Sequence, residues 1–160
     1  ETGNASFTGF GVKKILQPTK SLPGYNTVSD ADVVIMRYAH VLLMIAEAEN
    51  EVNGPTEKAL KAINAVRTRS HQPAIDGTGL TQAELRERIR NEWRVETCFE
   101  GLRYFQLKRW KQLQQVVDGV VDPAYPSYIK VVKPAFEFFP LPQGEIDKAH
   151  GVLVQDPNYQ

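Results

Sequence analysis

The chain has one cysteine, Cys98, in 160 residues. A lone thiol excludes any disulfide within the chain and says nothing of redox compartment. Beside Phe99, Cys98 reads most simply as a small buried apolar residue. Net charge is also missing, because 19 basic residues balance 19 acidic ones. No long run of one sign appears, which argues against nucleic acid as a partner, since phosphate binding needs a basic surplus on one face. No stretch is long and apolar enough to span a membrane. The chain opens at Glu1 with no Met and no signal peptide. It therefore reads as a mature fragment or an excised domain, and missing targeting signals do not argue for the cytoplasm. His40, His71 and His150 form no metal-ligand pattern, and no glycine-rich loop precedes a helix. No metal and no cofactor is expected.

What is present suffices for one ordinary globular core, with 42% hydrophobic and 24% charged residues. The most strongly patterned stretch is residues 85–110, LRERIRNEWRVETCFEGLRYFQLKRW. Thr81 and Glu84 make a capping box ahead of it, so a helix should start near Gln82. Gly101 is the place for that helix to stop or bend. At about 100° per residue, Arg86, Arg90 and Arg94 fall on one row and Glu92, Glu96 and Glu100 on another, nearly opposite. The acidic row lies among Leu85, Ile89, Val95 and Phe99, on the side expected to be buried.

Carboxylates at this spacing repel one another. Burying them costs several kcal/mol unless cations pair with them. The candidates are Arg37, Arg67, Arg103 and Arg109. Closely spaced carboxylates can also be the acid and nucleophile of a glycosidase. A crowded apolar helix face is a poor place for substrate, so a structural Arg–Glu lattice is the favoured reading.

Residues 1–30 are rich in Gly, Ser, Thr and Asn, with room for a short strand in FTGFGVKKIL and turns at Pro18, Pro23 and Gly24. Asn4-Ala5-Ser6 matches a glycosylation sequon, read here as chance. Residues 33–53 read as a helix with its first residues extended, ended by Gly54 and Pro55. Ile35, Tyr38, Ala39, Leu42, Ile45 and Ala46 form its stripe, which Val41, Leu43 and Ala48 widen to most of the circumference, so the helix is expected between neighbours, with His40, Met44 and Glu47 on an outer edge. Residues 56–69 make a second helix capped by Thr56. Ala59, Leu60, Ile63 and Val66 line its inner face with Arg67, while Arg69 points away.

Residues 70–80 are a loop in which His71 and Asp76 could touch a ligand, although solvated loop residues are the simpler reading. Residues 103–117 read as one helix covered on both sides by Tyr104, Phe105, Leu107 and Trp110. Asp118-Gly119, Asp122-Pro123 and Pro126 are turn signals among residues 118–134. Tyr125 and Tyr128 sit among them, where exposed rings could stack on sugars or simply anchor the loop. Residues 128–132 and 135–139 are expected to form short strands or a hairpin limited by Pro134.

NEWRVETCFEGLRYFQLKRW resembles the ERRVE-x-x-FEG-x-R-x-x-D-L-x-RW signature of the SusD/RagB family of surface glycan-binding lipoproteins from Bacteroidetes-type bacteria. The two earlier helices resemble the family's RYAE-x-LLMYAEA and ALxAINxVRxR segments. FPLPQGEI and QDPNY resemble its motifs near the chain end. The resemblance runs from about Ile35 to Tyr159. His40 replaces the usual Glu, Trp93 an Arg and Gln106 an Asp.

The resemblance implies a mainly α fold. It would have a tetratricopeptide-like helical pair plus further helices, loop-rich segments, and short β strands near the C-terminus. The chain would be the C-terminal part of a SusD-like domain. It would comprise a loop-rich lead-in at 1–30, a helical core at 31–117 and a loop and short-strand segment at 118–160. Such helical units need several copies to bury their faces, so sister units are expected upstream. The implied activity is non-catalytic capture of oligosaccharide or a related nutrient, delivered to a SusC-like TonB-dependent transporter. Membrane association would come only through a lipid anchor outside this segment. A helical scaffold whose partner is protein, with no sugar site here, is the alternative.

Overall fold

The structure, a computed structural model, describes residues 12, 14, 34–123 and 125–159. The strand and turns expected before Val34, and the sequon, lie outside the described residues apart from Val12 and Lys14. The chain divides into two compact units, Glu1–Gly101 and Leu102–Gln160.

The first unit is built on α1 (Tyr38–Asn53), α2 (Glu57–Arg69) and α3 (Gln82–Glu96). Helix α1 packs against both of the others. Its buried stripe is Ala39, Leu43, Ala46 and Asn50, spaced to return to one face, with His40 buried at its edge. Gly54 ends it at φ 79°, and its N–H returns to the carbonyl of Asn50 at 2.9 Å. Thr56 caps α2 by accepting from the N–H of Ala59 at 3.3 Å. Thr81 caps α3, and Glu84 accepts in return from the N–H of Thr81 at 2.9 Å. Leu43, Ile63, Val66, Leu85 and Ile89 fill the space between the helices.

Polar bonds fix the register of α1 on α3. The Asn50 amide donates to the carbonyl of Gln82 at 3.0 Å, and the Gln82 amide returns a bond to the carbonyl of Asn50 at 2.7 Å. Outside this pair, Arg86 grips both oxygens of Glu51 at 2.5 and 2.6 Å. Asn64 binds the backbone of Ile75 in both directions and folds the 70–80 loop back onto α2.

Several expectations for this unit need correction. Ile35 precedes α1 and is exposed, and Tyr38 and Ile45 are exposed because they lie away from the stripe of Ala39, Leu43, Ala46 and Asn50. His40 lies inside rather than on an outer edge. Helix α3 stops at Glu96, so Glu100 lies in the turn beyond it. Val95 sits about 100° round from the buried stripe and is exposed. Phe99 and Cys98 are exposed in that turn, with Phe99 at φ 64°.

The second unit contains α4 (Arg103–Arg109), α5 (Leu113–Val117), β1 (Val121–Asp122), β2 (Tyr125–Ile129) and α6 (Gln143–Lys148). Single 3-10 turns occupy Pro134–Glu137 and Pro157–Tyr159. Leu107, Leu113 and Val132 form its small core with Tyr104, Trp110 and Val117 against them. The single helix expected over 103–117 is two. Lys111 turns left-handed at φ 55°, and the N–H of Gln112 bonds back to the carbonyl of Leu107 at 2.8 Å. That pattern terminates α4 without glycine. Phe105 is exposed rather than covered.

The expected hairpin lies earlier than residues 128–139. Val121 faces Ile129 and Asp122 faces Tyr125 in an antiparallel pair, so residues 126–128 bulge between the two pairings. Pro126 has no N–H and suits that position. Residues 135–137 form the 3-10 turn rather than a strand, because Pro134 starts a helical turn well.

Replacing Thr81 with Ala should cost about 1 kcal/mol in urea unfolding, and Glu84→Ala somewhat less. Unchanged stability in Thr81→Ala would show that the cap carries no weight.

Candidate functional site

The first unit gathers a group of charged side chains where the end of α3 meets the start of α1. The buried stripe of α3 comprises Leu85, Ile89, Glu92, Trp93 and Glu96, so two carboxylates share it with apolar residues. Arg67 on α2 donates to Glu92 at 2.6 Å and uses its Nε on the carbonyl of Pro73 at 2.9 Å. Glu96 receives Arg37 Nη1 on Oε1 and Arg69 Nη2 on both oxygens, at 2.6 and 2.5 Å. Arg37 Nη2 also reaches the carbonyl of Glu96 at 2.6 Å.

Glu100 completes the group. Arg37 Nη2 lies 2.7 Å away, Lys14 Nζ 2.5 Å and His40 Nε2 2.7 Å. The backbone N–H of Arg37 points at His40 Nδ1 at 3.4 Å, so Nδ1 accepts and Nε2 carries the proton toward Glu100. Burial opposes the charge on Glu100. The bonds from Arg37, Lys14 and His40 outweigh it and hold the carboxyl down at about 2, from an ordinary 4.5. This arrangement crosslinks three helices and the turn after α3. It leaves Glu92 and Glu96 engaged with arginines, unlike the paired acid and nucleophile of a glycosidase.

The remaining candidates lie elsewhere. Arg103 and Arg109 stand on α4 with their guanidinium groups 5.9 and 5.3 Å from the Trp110 ring. His71 is exposed at φ 55°, directly after α2, where the N–H of Gln72 bonds back to the carbonyl of Arg67 at 2.9 Å. It thus occupies the left-handed position that closes a helix. Tyr125 and Tyr128 are on β2 rather than in a loop, and are 68% and 64% exposed. Tyr128 lies in the bulge, a feature that re-aims a side chain.

The second unit also holds an open cavity of about 600 Å³. Tyr104, Phe136, Phe138, Phe139 and Tyr159 are among its lining residues. Tyr159 is fixed there by donating to the carbonyl of Phe138 at 2.6 Å, and Lys108 sits 5.1 Å from the Phe139 ring.

Sequence reasoning misses three members of the charged group. Helical angle points Arg69 away, yet its long side chain, still 58% exposed, reaches round to Glu96. The apolar pattern puts His40 on an outer edge, yet it is buried against Trp93 with ring centroids 6.0 Å apart. Lys14 gives no signal at all, because its partners are more than 80 residues away.

A model of the SusD family matches residues 1–159. A SusD-like protein P2 of Formosa agariphila is 31% identical over 143 residues, covering 82% of this chain and 26% of that protein. A second protein of that organism, SusD-like protein P25, is 42% identical over 54% of this chain and 17% of its own length. Among solved structures, a SusD-like protein of Bacteroides fragilis superposes with TM-score 0.69 at 30% identity, over 81% of this chain and 26% of that one. The surface glycan-binding protein A of Bacteroides thetaiotaomicron does so with TM-score 0.63 at 29% identity, over 79% and 25%. The chain belongs to the SusD family, and it spans about a quarter or less of the relatives it matches.

Removing one member of the Arg67–Glu92 pair should leave a buried charge. Glu92→Gln is expected to lose about 3 kcal/mol in urea unfolding, and Arg67→Met with Glu92→Leu together to lose less than Glu92→Gln alone. An equal or larger loss in the double variant would show that the pair itself stabilises the fold. The depressed Glu100 carboxyl stabilises the folded state fully above its unfolded value near 4.5 and progressively less as pH falls toward about 2. Solvent screening keeps this contribution to roughly 1–2 kcal/mol. The stability gap between wild type and Glu100→Gln should therefore be constant above about pH 5 and shrink below it. A gap independent of pH would overturn this assignment.

Proposed function

We propose that this SusD-family chain is the C-terminal part of a surface-exposed, lipid-anchored outer-membrane protein. It captures oligosaccharide or a related nutrient without transforming it. It passes that ligand to a SusC-like TonB-dependent transporter. The lipid anchor belongs to a part of the protein outside this segment. The observation that carries the reading is the likeness to a surface glycan-binding protein over most of this chain. The engagement of Glu92 and Glu96 with arginines supports binding over hydrolysis, since a glycosidase needs one carboxyl protonated and the other free to attack. The FPLPQGEI and QDPNY motifs support placing the segment at the C-terminal end of its protein.

Within this segment Tyr125 and Tyr128 are the sugar contacts proposed. Both are exposed on one short ribbon, and a tyrosine ring offers an apolar face with a polar rim. Weak stacking suits a ligand that must be released again. In the first unit, His71 is proposed as a separate ligand contact, on the basis of its exposure beside α2.

One observation favours the alternative of a protein-interaction scaffold. Tyr38, Ile45 and Val52 recur every seven residues along α1 and are all exposed, nearly opposite its buried stripe. Sister helical units upstream would cover such a face, as would a protein partner.

Affinity electrophoresis of the full-length protein against a panel of glycans separates the two readings. At least one glycan should retard migration. Tyr125→Ala and Tyr128→Ala should each weaken that binding by roughly two- to tenfold. Absence of retardation by every glycan, with copurification of a transporter, would replace glycan capture with the scaffold.

A further inference from the structure

Three acceptors converge on one point at the end of α3. Lys14 Nζ lies 2.6 Å from the carbonyl oxygen of Glu96, 3.0 Å from that of Cys98 and 2.5 Å from Glu100 Oε1. An ammonium has three N–H groups and no acceptor, so each N–H finds its own partner here. The location suits a cation, because the last carbonyls of a helix lack intrahelical partners and carry partial negative charge.

The same point lies in a strained turn. Phe99 adopts φ 64°, a backbone conformation that bulky residues rarely take, and Cys98 immediately precedes it. Two backbone carbonyls and one side chain of residues 96–100 are held by the single ammonium. Arg37 supplies a neighbouring wall through the Glu96 carbonyl and Glu100 Oε1, at 2.6 and 3.0 Å. Its planar fork spreads its donors apart and cannot aim three at one centre.

We propose that the C-terminal end of α3 is a socket for a primary ammonium group, filled in this chain by Lys14, and that its occupancy holds the 97–101 turn in shape. The chemical class is defined by hydrogen bonding as well as charge. A methylammonium ion presents three N–H donors and fits, whereas a tetramethylammonium ion carries the same charge with none. Lys14 precedes Glu96 by 82 residues, so filling the socket is a long-range tie between Lys14 and the end of α3.

The test uses the full-length protein. Lys14→Ala should speed hydrogen exchange of the 97–101 amides by about tenfold, the scale of one lost charged hydrogen bond. Methylammonium chloride should restore protection, and tetramethylammonium chloride at equal concentration should not. Unchanged exchange in Lys14→Ala, or equal action of the two salts, would overturn the socket. A second measurement needs no variant. Lys14 and Lys61 are both exposed, yet in the unmodified protein an amine-acylating reagent should label Lys14 about tenfold more slowly than Lys61, because the socketed ammonium must first leave its acceptors. Equal labelling rates would refute occupancy even if Lys14→Ala failed to fold.

Discussion

Glu92 and Glu96 face into the helix packing, where an ion taken from water costs several kcal/mol unless it is paired and hydrogen-bonded. That cost dictates how the helices of the first unit can meet. Helix α2 must bring Arg67 and Arg69 to α3, and the start of α1 must bring Arg37. A rotation of either helix that preserved its apolar contacts would separate these groups and leave a carboxylate unpaired. Apolar packing supplies most of the attraction, while the ion pairs select one arrangement among many of similar apolar burial.

Arginine suits this task better than lysine. Its fork donates in two directions at once, so one side chain can serve a carboxylate and a backbone carbonyl. Arg67 spans Glu92 and Pro73, tying α3 to the loop after α2. Arg37 spans Glu96 and Glu100, tying the last turn of α3 to the 97–101 turn. The spacing of carboxylates that would weaken an isolated helix thus becomes a row of docking points for its neighbours.

The sequence made the elements themselves legible where caps and periodicity agreed. Thr81 with Glu84 marks the head of α3, and Thr56 and Gly54 bracket the turn between α1 and α2. Legibility failed where long side chains or local left-handed residues decided the outcome. Arg69 lies off the inner face by helical angle, but its long, flexible side chain carries the charge around the edge. Lys111 and Phe99 take conformations usually left to glycine, so the end of α4 carries no sequence mark, and Gly101 marks the turn after α3 only some residues beyond the helix end at Glu96. The hairpin is displaced because a bulge, which alternation cannot signal, absorbs residues 126–128.

Two departures from the family pattern meet in space, and their pairing bears on what the charged group is for. Position 40 has His where the resemblance expects Glu, and position 93 has Trp where it expects Arg. Here the two rings lie 6.0 Å apart at 31°, both buried. The ring contact joins α1 to α3 at a buried point where the neighbouring contacts are ionic. The new rings keep polar duties, since Trp93 Nε1 donates to Glu47 at 3.0 Å and His40 Nε2 serves Glu100. Both side chains thus spend their polar atoms on carboxylates of the fold itself, which leaves them no polar atom to offer a ligand and fits a structural lattice.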